Sequence, residues 1–154
     1  MINSKKIIEI LKICTIIVMS VLYVSIGIKH FVNPDFFLKI MPRYIPFHLE
    51  LVYLSGFLEI LFGFFLLFKK YRRISGIGLI ILLIAVFPAN IYLYQFPEIL
   101  DASKSKALIR LFFQIPLIII AFWHSQENNS KLFSAFCILL FIPTIIYFLT
   151  LSMN

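Results

Sequence analysis

Four polar side chains that could do chemistry lie inside two of the long apolar runs of this 154-residue sequence. Ser55 and Glu59 occur in one run, and Arg110 and Gln114 in another, and both pairs are spaced four residues apart. Residues at that spacing share one face of a helix. A carboxylate can carry a proton, and hydroxyl, amide and guanidinium groups can bind the polar part of a ligand. Charged groups are costly in hydrocarbon, so such residues usually face the interior of a helix bundle and mark a functional site.

His30 and Asn90 are two further polar residues that we expect at a similar depth. His30 lies at the end of the first apolar run, and Asn90 lies in the third run, two residues after Pro88. Proline removes a helical hydrogen bond and kinks the helix, which favours a small polar cavity beside Asn90. The sequence therefore predicts a ligand-binding pocket in the outer half of the bundle, formed by His30, Ser55, Glu59, Asn90, Arg110 and Gln114.

The same residues also permit a purely structural interpretation. Glu59 and Arg110 are predicted to lie on adjacent helices and to couple, directly or through Gln114, because each would be costly alone in hydrocarbon. Amide side chains commonly hold spanning helices together, so a ligand-free hydrogen-bond network is the alternative to a pocket. Gly56 and Gly63 share the face of Glu59 and predict a close helix contact there.

No metal site, redox motif or cofactor is evident from the residues themselves. Cys14 and Cys137 each lie alone in an apolar run, and no C-x-x-C pair occurs, so both are expected to act as small hydrophobic residues. The histidines lack the spacing of metal ligands. His48 and His124 are expected at the membrane interface, and Trp123 in the aromatic belt of that interface.

The overall composition excludes most classes of soluble protein. Hydrophobic residues make up 62% of the chain and charged residues 14%, and the mean hydropathy is +1.01, whereas soluble domains are about 45–50% apolar and about 25% charged. A water-soluble enzyme, a disordered chain and a nucleic-acid-binding domain are therefore not expected. The net charge of +7 comes from short basic clusters between apolar runs, which is typical of membrane topology signals.

Five runs approach the length of about 20 apolar residues that a spanning helix needs: 7–28, 51–68, 74–96, 108–123 and 132–151. Between the first two runs, Asn33 and Pro34 form a favourable start for a short helix. Apolar residues then recur on one side of that helix, at Phe36, Phe37, Ile40 and Met41. This pattern predicts an amphipathic helix that lies in the outer interface and roofs the bundle.

The positions of Lys and Arg favour a cytoplasmic N-terminus. Lys5 and Lys6 precede the first run, and the densest basic cluster, residues 69–73, connects the second and third runs. Five spans then place the C-terminus on the external side. We therefore expect a multi-pass protein of the inner or plasma membrane, in contact with the lipid bilayer.

Several of these residues also carry a resemblance to a known family. The ordered series G-x-x-H-F-x-x-P-x-x-F from residue 27, S-G-x-x-E-x-x-x-G from residue 55, F-P-A-N from residue 87 and R-L-x-x-Q from residue 110 resembles the DoxX-like membrane proteins. That resemblance implies a four-helix membrane core, to which the fifth run of this chain is an addition. The family is named after a subunit of a thiosulfate–quinone oxidoreductase, so the resemblance suggests an association with quinones by analogy.

The predicted fold is an all-α polytopic membrane helix bundle. It has a DoxX-like four-helix core (1–126), a peripheral C-terminal fifth helix (127–154) and the short outer amphipathic segment. The predicted function is a non-catalytic subunit or accessory protein of a quinone-linked redox system in the membrane, acting with a membrane redox partner or as a homo-oligomer. The alternatives are a binder or enzyme for a quinone or lipid head group, and a small transporter in which Glu59 relays protons.

Overall fold

The computed structural model describes residues 4–153 of the chain, and side chains are described for residues 4–150. Every regular element in that part is helical, so the predicted all-α class is confirmed. The α-helices are α1 (Ser4–Val32), α2 (Pro34–Lys39), α3 (His48–Leu66), α4 (Arg72–Ala85), α5 (Phe87–Gln95), α6 (Lys104–Ser125) and α7 (Lys131–Met153), and a 3₁₀ turn (Pro97–Leu100) precedes α6.

Five helical segments of the described chain are long and apolar enough to cross a membrane. They are Ser4–Val32, His48–Leu66, Arg72–Gln95, Lys104–Ser125 and Lys131–Thr150. These are the five runs predicted from the sequence, in the same order. The observed ends differ from the predicted ones by a few residues. Polar residues such as His48 and Lys104 lie in the first turns of α3 and α6, and a hydropathy pattern does not include them in the span.

The spanning helices form a ring in the order α1, α3, α4, α6 and α7, and α7 returns to α1. The core lies inside this ring, where residues from four helices are at most 1% exposed: Ile16, Met19, Leu66, Leu79 and Ile120. In this order α4 separates α3 from α6 on one side, and α1 and α7 separate them on the other. Side chains of α3 and α6 therefore face each other across the interior.

Helix α7 has a mostly exposed surface, as expected of a peripheral helix, but one stripe of it completes the bundle. Cys137 and Thr144 on this stripe are fully buried. Phe141, Ile145 and Phe148 pack against the core. Since α7 contacts both α1 and α6, it closes the ring between them.

The contact between α1 and α3 depends on glycine. A Cβ atom at Gly56 would lie 2.5 Å from Cβ of His30, and one at Gly27 would lie 2.6 Å from the carbonyl oxygen of Gly56. At Gly63 a Cβ atom would lie 2.9 Å from Cβ of Tyr23. The predicted close approach at Gly56 and Gly63 is confirmed, and it places the Glu59 face of α3 directly against α1.

The third span is interrupted where the proline pattern predicts. Helix α4 ends at Ala85, where the amide of Val86 still donates to the carbonyl of Leu82 at 2.9 Å. Helix α5 begins at Phe87 with Pro88 in its first turn. After this break, Asn90 is buried where α5 packs on α6.

Candidate functional site

The six residues predicted to converge line a single cavity. It lies at the end of the bundle that contains the end of α1 and the starts of α3 and α6, which we call the outer end. The cavity has a volume of about 140 Å³, and its lining includes His30, Ser55, Glu59, Asn90, Arg110 and Gln114. An engineered protein cavity of about 150 Å³ can hold benzene, so this outer cavity has room for one six-membered ring.

The predicted pairing of Glu59 with Arg110 is not formed. Arg110 instead donates from Nε to Oδ1 of Asn90 at 2.9 Å, and its guanidinium lies 5.8 Å from the centroid of the Phe36 ring. The prediction assumed adjacent helices. Because α3 and α6 are not neighbours in the ring, Glu59 and Arg110 occupy opposite walls of the cavity, and Asn90 on the adjacent α5 is within reach of Arg110.

The titratable side chain in contact with Glu59 is His30, whose Nδ1 lies 3.4 Å from Oε2 of Glu59. The same Nδ1 is 3.0 Å from the carbonyl oxygen of Ile26. A carbonyl only accepts hydrogen bonds, so Nδ1 carries a hydrogen and donates it to Ile26. His30 is only 5% exposed, and it is therefore part of the bundle interior.

Three buried polar atoms around the cavity have no hydrogen-bond partner within the described chain. They are the hydroxyl of Tyr23, Oε2 of Glu59 and Oε1 of Gln114, and all three residues line the outer cavity. A buried polar atom without a partner is destabilising by about 1–3 kcal/mol, and native proteins contain few of them. These three atoms make up the unmet hydrogen-bonding capacity of the cavity wall.

Tyr23 also lines the cavity, although it is not among the site residues predicted from the sequence. It is 4% exposed. The sequence does indicate a role for Tyr23 in the site, because Tyr23 lies seven residues before His30 and both residues are therefore on one face of α1. A tyrosine well inside an apolar run is also far from the interface that aromatic belts occupy.

Helix α2 covers the cavity, as the amphipathic pattern predicts. The ring of Phe37 stacks on the His30 imidazole with centroids 3.5 Å apart. The neighbouring Phe36 packs against Arg110, while Ile40 and Met41 line the cavity. Asn33 occupies the N-cap position but makes no side-chain capping bond. The aromatic contacts connect this roof to His30 of α1 and Arg110 of α6.

Ser55 contributes polar surface rather than an unpaired group. Its hydroxyl donates to the carbonyl of Val52 at 2.9 Å, one turn earlier in α3. The oxygen of Ser55 retains lone pairs that can accept a further hydrogen bond. Ser55 is therefore a secondary contact, whereas Tyr23, Glu59 and Gln114 have the unmet hydrogen-bonding capacity.

Trp123 does not belong to an interfacial belt. It is fully buried, and its Nε1 donates to Oγ of Ser134 on α7 at 3.3 Å. The amine of Lys12 on α1 lies 5.4 Å from its ring centroid. The prediction was wrong because α7 covers this end of α6, so that the indole faces protein instead of lipid.

His124 is also buried, at 1% exposure, and not interfacial as predicted. The hydroxyl of Thr15 donates to the carbonyl of Lys12 at 2.8 Å, so it accepts from Nε2 of His124 at 3.0 Å. This bond joins α1 to α6 at the end opposite the outer cavity. It gives His124 a structural role, and no group of three or more metal-ligating residues occurs among the residues that the structure describes.

A family model described as a domain of unknown function (DUF8561) matches residues 19–125 of the chain. The chain belongs to the DUF8561 family. The matched segment includes the six predicted site residues, Tyr23 and the roof helix α2, whereas α7 follows it. No curated protein matches the chain, and no solved structure matches it either. The DUF8561 segment thus contains almost the whole wall of the outer cavity.

Proposed function

We propose that this protein resides in a membrane and binds the polar head of a small amphipathic molecule in its outer cavity. The single observation that supports this function is the grouping of three unpaired buried polar atoms, on Tyr23, Glu59 and Gln114, around one space of about 140 Å³. Polar groups at that depth need a partner from protein, water or ligand. A ligand-free hydrogen-bond network would leave fewer of them unpaired.

The chemistry of these atoms favours a head group with a hydrogen-bond donor. The carboxylate oxygen of Glu59 and the carbonyl oxygen of the Gln114 amide both accept, and the Tyr23 hydroxyl can accept or donate. The volume suits one ring, so a hydroxyl-bearing ring with an apolar tail is the ligand class that we propose. The resemblance to DoxX-like proteins extends this proposal to the reduced, dihydroxy form of a quinone.

Ligand-induced stabilisation tests this function, because a ligand that binds only the folded state raises its stability. The protein in detergent is titrated with 4-hexylphenol and with hexylbenzene, which has the same ring and tail but no hydroxyl. We expect 4-hexylphenol to raise the unfolding temperature of the wild type by several degrees more than hexylbenzene does.

The matched variants are Gln114→Leu in the cavity and Gln95→Leu, which is exposed at the outer rim. The extra effect of 4-hexylphenol should disappear in Gln114→Leu and in Tyr23→Phe, and it should persist in Gln95→Leu. Equal stabilisation of Gln114→Leu and wild type by 4-hexylphenol would contradict a ligand function, and the ligand-free network would then be the better explanation.

By analogy with the DoxX-like subunit, we further propose that the protein is a non-catalytic accessory component of a quinone-linked membrane system. Its partner would be a redox protein of the same membrane or a second copy of this chain. Gentle solubilisation of the native protein followed by mass spectrometry of co-purifying proteins and lipids tests this assignment. Recovery of neither a redox protein nor a quinone-like lipid would argue against it.

We propose an inner or plasma membrane location with the N-terminus in the cytoplasm. The support comes from the basic cluster at 69–73, Lys5 and Lys6, and from the bond between Lys131 and Ser4, which joins the starts of α7 and α1 at one end of the bundle. The C-terminal Asn154 lies outside the described residues. A reporter fused at residue 71 should be cytoplasmic, and a reporter fused after residue 154 should be external. If the N-terminus and the C-terminus were found on the same side of the membrane, the five-span topology would be contradicted.

A further inference from the structure

We infer that Phe148, on the fifth helix, is a wall of the outer cavity and sets the size of the molecule that the cavity accepts. This inference rests on the proposed ligand function, and it concerns a helix that lies beyond the segment matched by the family model. The family match and the resemblance both end before α7, so neither assigns a binding role to it.

The position of Phe148 follows from the direction of α7. This helix begins beside Ser4 at the inner end of the bundle, which is the end opposite the outer cavity, and Lys131 donates to the Ser4 hydroxyl there. From this point α7 runs toward the outer end between α1 and α6. Phe148 lies near its outer end, and among the described residues it is the α7 side chain that lines the cavity. Because α7 contacts α1 and α6, Phe148 lines the side of the cavity that faces α7.

Neighbouring contacts fix this part of α7 in place. Tyr147 stacks on Phe113 of α6, with ring centroids 4.4 Å apart and planes inclined by 10°. One turn earlier, Thr144 is fully buried. The stacked pair orients the next residue, Phe148, toward the interior, where it packs against the core as well as the cavity.

The consequence is a limit on ligand size. The cavity has about the volume that holds one benzene molecule, and the phenyl ring of Phe148 is itself of that size. Replacing Phe148 by Ala would therefore roughly double the space and open it toward the α1–α6 side. A ring with bulky substituents, which the wild type excludes, would then enter.

A thiol reporter inside the cavity tests this without any assumption about the natural ligand. Ser55→Cys places a thiol on the cavity wall of the full-length chain, in a background with Cys14→Ala and Cys137→Ala. The reporter is treated with methyl methanethiosulfonate and with the bulkier benzyl methanethiosulfonate, and the two rate constants are measured. Each rate constant reports how readily a molecule of that size reaches the thiol at position 55.

We expect Phe148→Ala to raise the benzyl-to-methyl rate ratio at least tenfold. The matched control is Phe136→Ala, the same change at a half-exposed position of α7 outside the cavity, and it should leave the ratio unchanged. Phe148→Leu, which retains a packed apolar side chain, should give an intermediate ratio and keeps the test valid if the Ala variant unfolds.

An unchanged ratio in Phe148→Ala or Phe148→Leu variants that are folded at the assay temperature would overturn the inference. Failure of the benzyl reagent to react in a folded Phe148→Ala variant would overturn it as well, since an open wall must admit a ring. The assay uses no 4-hexylphenol. The assay can therefore show that Phe148 limits access to the cavity even if 4-hexylphenol does not bind. Failure of the ligand function and failure of the size limit at Phe148 are thus distinguishable.

Discussion

Arg110 and Asn90 are joined across α6 and α5 by a hydrogen bond in which Nε of Arg110 donates to Oδ1 of Asn90 at 2.9 Å. This bond supplies the guanidinium with a neutral acceptor, and it leaves Glu59 on the opposite wall. A net contribution of about 1.5–3 kcal/mol is typical for a hydrogen bond to a charged group. Asn90 therefore holds Arg110 in position at the cavity through its amide oxygen.

The first prediction concerns this bond. Asn90→Leu should lower the free energy of unfolding by about 2 kcal/mol, because it leaves the half-buried guanidinium without its acceptor. In an Arg110→Met background the same change should cost much less, so the double-mutant cycle should give a coupling energy of at least about 1 kcal/mol. Chemical unfolding in mixed micelles measures all four proteins, and strictly additive losses would contradict the bond.

The second prediction concerns the glycine contact between α1 and α3. Gly56→Ala should destabilise the protein by about 1–3 kcal/mol, because the new Cβ atom would meet Cβ of His30 at 2.5 Å and the two helices must move apart. Gly78→Ala should cost less, since its Cβ atom would meet the end of the Phe62 ring, which can rotate away. Thermal unfolding of both variants tests this order, and a larger loss for Gly78→Ala would contradict it.

The third prediction concerns the bond between α1 and α6 at the inner end. Thr15→Val keeps the shape of the side chain but removes the acceptor of the His124 Nε2 hydrogen, so it should cost about 1–3 kcal/mol. Thr150→Val is the matched control, because the hydroxyl of Thr150 is exposed and bonds only to its own helix. Equal unfolding temperatures for Thr15→Val and wild type would show that His124 has another partner.

The fourth prediction concerns the roof formed by α2. Phe37→Leu removes the ring that stacks on His30, and an aromatic pair of this kind is worth about 0.5–1.5 kcal/mol. The roof should therefore open about two- to tenfold more often, and His30 should react faster with diethyl pyrocarbonate by the same factor. Peptide mass spectrometry measures the modification of His30 alone.

The control for the roof is Phe31→Leu. Phe31 is adjacent to His30 in the chain, but its ring stacks on Tyr53 of α3 and not on the imidazole. Its replacement should leave the reactivity of His30 unchanged. If both variants expose His30 equally, general loosening of the outer end explains the reactivity better than the loss of the Phe37 stack.

The helices and most of the cavity residues were predictable from the order of the amino acids. Long apolar runs must be helical in a membrane, because every backbone group needs an internal partner. Charged and amide groups within them avoid lipid, so the convergence of Glu59, Asn90 and Gln114 was predictable. Pro88 and Gly56 also have local effects, and the helix break and the close contact that they predict are both present.

Which of these helices are neighbours was not predictable and is known from the packing of the bundle. Lipid is as apolar as a protein core, so an apolar helix surface does not reveal which side faces protein. For that reason the prediction of Trp123 and His124 at the interface is wrong, since α7 and α1 bury them, and the role of Tyr23 in the cavity wall was not predicted. The order of helices in the ring likewise pairs Arg110 with Asn90 instead of Glu59. It also places Phe148, from a helix that shows no polar pattern, in the cavity wall.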